Sequence, residues 1–301
     1  MFDHIYSGCS KMSDIPEELC GINESKWCCW RSARHGHIDV IKLASANGAP
    51  WNDSTCAYAA KNGHLDILKW ARANGAPWGD RVCMHAAMDG HLNILQWARE
   101  NGAPWDEQTC QYAAMNGQLD VLKWARAHGA PWNEWVCSHA AFYNHLGILQ
   151  WARENGAPWD EWTCAYAAKN GHLEVLQWAK SHGAPWDCIT CESAASGGHL
   201  KCLQWARENG APWNERTCVD AASNGHFSTL QWAFEHGAPW GDESIKEFEH
   251  RITTEFPNIA VSLLRLHRGT SLTNSVAKKF IRQIYSIIPL TIPLCDLIIN
   301  Y

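Results

Sequence analysis

The sequence contains no run of basic residues interleaved with aromatic ones, which is the pattern expected of a chain that binds nucleic acid. Its 31 acidic residues outnumber its 25 basic ones, so no nucleic acid partner is expected. The longest apolar stretch, 284–299, is interrupted by Pro289, Pro293 and Asp296, and we therefore expect no membrane span. Residues 1–20 lack the basic and then apolar layout of a secretion signal.

The sequence also lacks the signatures of common enzyme classes. It has no glycine-rich phosphate loop, no nucleophile elbow and no pair of carboxylates that is not duplicated elsewhere in the chain. We therefore predict that the protein is not an enzyme and uses no cofactor. Cysteine, in contrast, is abundant at 14 residues, and many cysteines without a secretion signal are typical of a reducing compartment. This favours a cytoplasmic location, with the nucleus as the alternative.

What the sequence does have is a constant interval of 27 residues between successive Ala-Pro-Trp triplets. The prolines of these triplets are Pro50, Pro77, Pro104, Pro131, Pro158, Pro185, Pro212 and Pro239. Self-similarity at a fixed period of this size is typical of solenoids and related arrays. An earlier copy of the pattern begins at Cys29 without the Pro-Trp pair. We predict repeats over residues 23–240, an N-terminal cap over 1–22 and a different, helical region over 241–301.

One repeat, from Asp160 to Gly183, illustrates the expected structure of all of them. Asp160 follows the proline by two residues and is a good N-cap for a first helix, and Gly171 is a good end for it. A second helix then runs from about Leu173 to Gly183. Its apolar residues cover well over half of its circumference, which predicts a helix sandwiched between repeats. The first helix carries small side chains that let neighbouring helices approach closely, and stacking must stabilise helices as short as these.

The repeat resembles that of the ankyrin family. The Ala167-Ala168 pair, the string 171–174 (Gly-His-Leu-Glu) and the Asn-Gly-Ala that closes several repeats carry the resemblance. Ankyrin repeats have about 33 residues, so the repeats here are shorter, and a Pro-Trp turn replaces the usual β-hairpin. The resemblance implies an all-α, ankyrin-like helical-repeat solenoid of about eight helix-turn-helix units. It also implies a protein target bound on the concave face, which the first helices line.

A cysteine and a histidine recur in nearly every repeat, and these residue types also occur in disulfides, metal sites and catalytic sites. The cysteines are Cys29, Cys56, Cys83, Cys110, Cys137, Cys164, Cys191 and Cys218, and the histidines are His37, His64, His91, His145, His172, His199 and His226. Packed helices lie about 8–10 Å apart, which excludes a ladder of disulfides, so we interpret the cysteines as small core residues. We interpret the histidines as turn residues bonded to backbone carbonyls, because Gln118 replaces one of them and an amide makes such bonds too.

Two further patterns leave alternatives open. The repeated tryptophans suggest aromatic cages, but their placement once per repeat favours ladders in the core. Cys188 and Cys191 have the Cys-x-x-Cys spacing of a zinc or redox pair. Because Cys191 belongs to the repeated cysteines and no second pair follows, we predict no metal ligands.

Positions that differ between repeats are not dictated by the stack, so they are candidates for partner contacts. Relative to the repeated cysteine they lie two residues before, one after, two after and five after, all on the first helix. In the central repeats they hold aromatic and methionine side chains, which dominate interface hot spots, and 142–144 (Phe-Tyr-Asn) replaces the usual polar-Asn-Gly. The predicted partner-binding residues are Met88, Tyr112, Met115, Trp135, His139, Phe142, Tyr143, Trp162 and Tyr166. The alternative is that some of them complete the core.

The C-terminal residues, from about 268, resemble a SOCS box, the C-terminal module of the ankyrin repeat and SOCS box family. Leu272, the segments 280–282 (Phe-Ile-Arg) and 292–294 (Ile-Pro-Leu), and Tyr301 carry the resemblance. It implies a substrate-recognition adaptor of a cullin-RING ubiquitin ligase, with elongin B/C and a cullin as partners. The residues implied to dock the ligase are Leu272, Phe280, Ile281 and Pro293. The alternative is a binding scaffold or decoy whose tail only caps the stack.

Overall fold

The computed structural model describes residues 29–46, 48 and 53–239, apart from the side chain of Phe227. Within these ranges the chain forms sixteen α-helices in eight pairs and no β-strand. The predicted all-α solenoid of about eight helix-turn-helix units is therefore confirmed. In the numbering used below, odd numbers denote the first helix of each pair and even numbers the second.

The helices of each kind are similar in length from repeat to repeat. The first helices are α1 (Cys29–His35), α3 (Asp53–Lys61), α5 (Arg81–Met88), α7 (Glu107–Met115), α9 (Trp135–Phe142), α11 (Glu161–Lys169), α13 (Cys188–Ser196) and α15 (Glu215–Ser223). The second helices are α2 (Ile38–Ala46), α4 (Leu65–Ala73), α6 (Leu92–Glu100), α8 (Leu119–Ala127), α10 (Leu146–Glu154), α12 (Leu173–Ser181), α14 (Leu200–Glu208) and α16 (Phe227–Glu235).

The chain divides into two compact units between Pro158 and Trp159. The first contains α1–α10 and the second contains α11–α16. The predicted N-terminal cap over 1–22 and the predicted C-terminal region over 241–301 lie outside the described residues, and so do all four residues implied to dock a ligase. No helix in the described ranges has both the length and the apolar character that crossing a membrane requires.

Three first helices begin at a capping side chain of the kind that the sequence predicts, whereas Asp160 precedes α11 without a side-chain cap bond. The Asp106 carboxylate accepts a hydrogen bond from the backbone N–H of Gln108 at 3.0 Å, and Asp187 accepts one from Ile189 at 2.9 Å. Asn214 makes the same kind of bond at the start of α15. Each bond satisfies one of the backbone donors that a helix start leaves unpaired. The predicted kind of cap, an Asp or Asn two residues after the proline, is confirmed at these three positions.

Successive first helices pack against each other through small side chains. In the first unit α1, α3, α5, α7 and α9 form one row, and in the second unit α11, α13 and α15 form another. The buried residues of α7 are Thr109, Cys110, Ala113 and Ala114, and the other first helices bury cysteine and alanine at the matching positions. The predicted close approach through small residues is confirmed.

The second helices bury a narrower stripe than the sequence predicts. In α12 only Val175, Leu176 and Ala179 are buried, whereas Leu173 and Trp178 are half-buried. Neighbouring second helices contact each other far less than neighbouring first helices do. The prediction of a helix sandwiched between repeats is therefore wrong, because each second helix packs on the first helix of its own repeat and stays open on its outer side.

The repeated tryptophans form a half-buried row on the outside instead of the predicted core ladder. Trp105, which precedes α7, meets Trp124 of α8 edge to face with ring centroids 6.1 Å apart. The guanidinium of Arg99, from the preceding repeat, lies 4.0 Å from the centroid of Trp105 and donates a hydrogen bond to the carbonyl of Ala103. The corresponding cation–aromatic pairs are Arg72–Trp78, Arg126–Trp132, Lys180–Trp186 and Arg207–Trp213. Each such contact contributes about 0.5–1 kcal/mol or more and links one repeat to the next.

The repeated histidines also link neighbouring repeats. The Nε2 atom of His91 lies 3.1 Å from the carbonyl oxygen of Lys61, and that of His145 lies 3.2 Å from the carbonyl oxygen of Met115. Both carbonyls belong to the end of the first helix in the preceding repeat. The predicted bond between histidine and a backbone carbonyl is confirmed, and the structure adds that it crosses between repeats.

The same histidines explain why a glycine follows most first helices. Gly171 has a φ of +74°, and a Cβ atom built on it would lie 2.5 Å from Nδ1 of His199. Gly183, after the second helix, has a φ of +88° but open space where its Cβ would be. Gly171 is therefore required both by the left-handed backbone and by the imidazole of the next repeat, and Gly183 by the backbone alone.

We expect Gly171→Ala to destabilise the protein more than the matched control Gly183→Ala. The control should cost about 1 kcal/mol because alanine is strained in the left-handed conformation. Gly171→Ala should cost about 2 kcal/mol or more, because it also displaces the His199 ring and weakens its contact with the preceding repeat. Denaturant unfolding followed by circular dichroism measures both losses. Equal losses would contradict the role of His199 between repeats.

Candidate protein-binding surface

The repeated thiols are enclosed in the core. Cys110 and Cys164 are fully buried, and burial raises the pKa of each to about 12. Burial likewise raises the pKa of Cys56 to about 11. The thiolate is the nucleophile and the metal ligand, so thiols with such pKa values serve as core residues, in agreement with the sequence interpretation.

Cys188 and Cys191 do not form an activated pair. Burial and a hydrogen bond to the carboxylate of Glu192 raise the pKa of Cys188, and burial raises the pKa of Cys191 to about 12. A redox pair requires the opposite shift, toward the thiolate. In the part of the chain that the structure describes, no group of three or more His, Cys, Asp or Glu residues could hold a metal ion.

Two predicted partner-binding residues stand out by their exposure. Trp135 is 37% exposed and Tyr143 is 42% exposed, and no other large hydrophobic residue of the described ranges is exposed. Trp135 is the first residue of α9, and Tyr143 is its C-cap. The most exposed apolar side chains of the described residues therefore stand at the two ends of one helix.

The predicted residues of α9 form a stripe on one face of that helix. Trp135, His139 and Phe142 are spaced i, i+4 and i+7, which places them above one another. The rings of Trp135 and His139 lie 5.5 Å apart, and those of Phe142 and Tyr143 lie 4.7 Å apart. The helix contains no Asp, Glu, Lys or Arg. It presents an aromatic surface without permanent charge.

Three more predicted residues extend this surface across the first unit. Met88 and Met115 are the last residues of α5 and α7 and match Phe142, the last residue of α9. Tyr112 lies one turn earlier on α7, and all of these side chains are half-buried. Because α5, α7 and α9 pack side by side, the structure brings seven predicted residues onto one face of the first unit.

The remaining two predicted residues lie in the second unit. Trp162 and Tyr166 are on the first turns of α11, half-buried, with their rings 5.4 Å apart. Burial, and to a smaller extent the carboxylate of Asp160, raises the pKa of Tyr166. The two rings form a pair at the same positions as Trp135 and His139 in α9.

Two further aromatic residues stand at a position that the sequence identifies as a candidate contact, although they are not among the nine predicted partner-binding residues. Tyr58 and His85 stand two residues after the repeated cysteine, as Tyr112 and His139 do. Their rings stack with centroids 6.3 Å apart, and Trp30 lies 5.0 Å from Tyr58. The alternation of tyrosine and histidine at this position is visible in the sequence and is the signal that identifies them.

The position directly after the repeated cysteine is not available to a partner, contrary to the prediction. Gln111 donates a hydrogen bond through Nε2 to Oδ1 of Asn133 in the next repeat at 2.9 Å. Glu192 accepts one from Nδ2 of Asn214 at 2.7 Å, and Ala57 at this position is buried. The residue at this position differs between repeats because it contacts the N-cap residue of the following repeat, such as Asn133 or Asn214.

Two histidines of the surface are kept neutral by burial. Burial lowers the pKa of His139, and a backbone hydrogen bond with Gln111 opposes the shift only in part. Burial also lowers the pKa of His85, with a smaller contribution from Lys61. The Nδ1 atoms of both rings are buried and have no hydrogen-bond partner, so neither ring gains a proton without a loss of packing.

Comparison with known proteins identifies the repeat. The family model described as ankyrin repeats (many copies) matches residues 28–72, 83–125, 136–179 and 191–232. No curated protein matches the chain. Many solved chains match its fold, and one of them is the human ASB11 ankyrin repeat domain. That match has a TM-score of 0.44 and 18% sequence identity, and it covers 52% of this chain and 84% of that one.

We expect the protein to lose stability as the pH falls below about 6.5. The pKa values of His85, His139 and His199 are lowered from 6.5 in the folded state. At pH values between 6.5 and the lower pKa values of the folded state, the unfolded chain binds more protons than the folded one. The contribution of these histidines to stability is therefore fully present above this window and declines as the pH falls through it. Thermal melts from about pH 8 to about pH 5 measure the decline, and a melting temperature that rises with acidity would contradict it.

His199→Gln is the matched variant for this experiment, because Gln118 occupies the same place in another repeat. Glutamine keeps a hydrogen-bonding side chain but removes the titrating group. We expect the stability of this variant to decline less steeply as the pH falls, because unfolding takes up at most one proton fewer. Near pH 8 its stability should change little. An unchanged slope would show that His199 does not contribute.

Proposed function

The chain belongs to the ankyrin repeat family, whose model matches more than half of its residues, and we propose that it binds a protein target through the first-helix face of its first unit. The observation that carries this proposal is the exposure of Trp135 and Tyr143 at the two ends of α9. Ankyrin repeats are protein-interaction scaffolds, so a non-enzymatic binding role is the general function. The contact residues are the specific proposal.

The composition of this face supports the proposal. Interface cores are depleted in charged residues and enriched in aromatic residues and methionine, and α9 has only uncharged side chains and neutral His139. Tyrosine and tryptophan are the commonest hot-spot residues along with arginine, and truncating a hot spot costs about 2 kcal/mol or more. Trp135 and Tyr143 would be the anchors, with Phe142 and His139 between them.

We expect the double variant Trp135→Ala, Tyr143→Ala to lose its protein target while keeping its fold. Both side chains are exposed, so the melting temperature should change little, whereas target affinity should fall at least tenfold. Quantitative pull-down, followed by affinity measurement with the captured protein, tests this. Lys123→Ala, an exposed change on the second helix α8, is the matched control. Capture that is equal in both variants would contradict the proposal.

We further propose that the chain is a substrate-recognition adaptor of a cullin-RING ubiquitin ligase. The support is the resemblance of the residues from about 268 to a SOCS box, together with their place after the repeats. Leu272, Phe280, Ile281 and Pro293 would dock elongin B/C and a cullin while the repeats hold the target. The cysteine thiols of the described residues suit the reducing cytoplasm in which such ligases act, and the nucleus is the alternative location.

Co-purification with elongin B and elongin C tests the ligase proposal. The unaltered chain should retain both, and the double variant Leu272→Lys, Ile281→Lys should lose both because a charge replaces each apolar contact. The control is the Trp135→Ala, Tyr143→Ala variant, which should keep the elongins and lose the target. If no elongin binds the unaltered chain, the alternative holds: a binding scaffold or decoy whose tail acts only as a cap.

A further inference from the structure

Asparagine followed by glycine recurs through the array, and this dipeptide is prone to spontaneous deamidation because glycine has no side chain to shield the attacking nitrogen. In this reaction the backbone nitrogen of the glycine attacks Cγ of the asparagine, and the side-chain NH2 leaves with the displaced proton as ammonia. Water then opens the cyclic succinimide to aspartate or isoaspartate. Seven such pairs, each a candidate modification site, lie at the ends of helices from α3 to α14: Asn62-Gly63, Asn74-Gly75, Asn101-Gly102, Asn116-Gly117, Asn155-Gly156, Asn170-Gly171 and Asn209-Gly210.

The folded backbone holds these pairs away from the geometry of the reaction. The glycine nitrogen comes beside the asparagine side chain only when ψ of the asparagine is about −120°, because N and Cβ are about 120° apart around Cα. The ψ angle is 13° at Asn116 and 17° at Asn101. At all seven pairs Nδ2 of the asparagine also donates a hydrogen bond to the carbonyl oxygen four residues earlier, at 2.8–3.1 Å. Deamidation therefore requires the helix end to open first.

Three pairs at the ends of first helices are covered by a histidine of the next repeat. Nε2 of His145 lies 3.2 Å from the carbonyl oxygen of Met115, directly before Asn116. Cε1 of the same ring lies 3.1 Å from the place of a Cβ atom built on Gly117. His91 and His199 stand over the matching turns and bond the matching backbone. The covered pairs are Asn62-Gly63, Asn116-Gly117 and Asn170-Gly171, and each opens only when its histidine contact is lost.

The other four pairs end second helices and have no such cover. Within the described ranges, no atom outside the adjoining residues lies within 4 Å of a Cβ atom built on their glycines. These uncovered pairs are Asn74-Gly75, Asn101-Gly102, Asn155-Gly156 and Asn209-Gly210.

One difference between the two sets acts in the opposite direction. The glycine nitrogen donates to a carbonyl of its own helix at 3.1 Å in the uncovered pairs and at 3.2–3.5 Å in the covered pairs. The helix end alone therefore holds the covered pairs slightly less tightly. A few tenths of an ångström weaken a hydrogen bond, whereas the histidine adds a whole bond and a packed ring. The cover by the next repeat is the larger effect.

We propose that the uncovered pairs are the deamidation sites of the folded protein, and that the histidine of the next repeat shields the covered pairs. At Asn101 the product carboxylate loses the hydrogen bond to the carbonyl of Trp97 and faces the negative end of the helix dipole. Asn116, which follows Met115 on the first-helix face, keeps its neutral amide. Deamidation thus alters the outer side of the array before the first-helix face, whether or not that face binds a target.

Peptide mapping of the full chain by mass spectrometry, after incubation at mildly alkaline pH with and without denaturing urea, tests the inference. The ratio of the unfolded rate to the folded rate gives the protection of each pair and cancels its intrinsic reactivity. We expect protection of at least tenfold at all seven pairs. The covered pairs should be protected about threefold more than the uncovered ones, or better, because they keep one more hydrogen bond.

His145→Ala should raise the folded-state rate at Asn116 to that of the uncovered pairs and leave the rate at Asn170 unchanged. His145→Gln should preserve the protection, because Gln118 takes the same place in another repeat, and His199→Ala should expose Asn170 alone. Equal protection of the two sets would overturn the inference, and so would a His145→Ala variant that deaminates every pair alike or none faster. The comparison within the unaltered chain decides the matter even where an alanine variant does not fold.

Discussion

Close contact between successive first helices is the constraint on which the other features of this chain depend. The contact requires small side chains, and the buried Cys110, Ala113 and Ala114 of α7 provide them. Once the helices are this close, the imidazole of one repeat lies over the turn of the repeat before it, as His199 lies over Gly171. A residue at that turn with a Cβ atom would collide with the ring. The recurring cysteine, histidine and glycine therefore satisfy one geometric demand.

The same demand explains which features could be predicted from the sequence. The caps at Asp106 and Asp187 and the histidine–carbonyl bonds recur in several repeats, so their recurrence and their known local chemistry identified them. The place of the tryptophans was not predictable in this way. A tryptophan in the core and a tryptophan stacked under an arginine would both recur once per repeat, so the sequence pattern is the same for the two. The structure shows that Trp105 lies under Arg99 and is not a core residue. The buried face of α12 was overestimated for the same reason: the apolar side chains recur in every repeat, but recurrence does not tell which of them are buried.

The sequence predicted which residue types form the candidate surface but not which of their side chains are exposed. Variation between repeats identified Trp135 and Tyr143, yet it identified Gln111 equally, and that residue belongs to the contact between repeats. The exposure of a side chain depends on which residues of the following repeat pack against it, and the sequence of one repeat does not specify them. Tyr143 also precedes Asn144, which holds the left-handed conformation at a φ of +62° where other repeats use glycine. Asparagine tolerates that conformation better than most residues.

The cation that stacks on each outer tryptophan is not the same in every repeat. Arg207 places a planar guanidinium on Trp213 and donates to the carbonyl of Ala211. Lys180 places a compact, strongly hydrated ammonium on Trp186. In a linear array, cohesion is the sum of contacts between nearest neighbours. The cation–aromatic part of that sum is weaker at Lys180 than at Arg207, while the first helices α11 and α13 pack at least as extensively beside Lys180 as α13 and α15 do beside Arg207, so close helix packing compensates for the weaker cation.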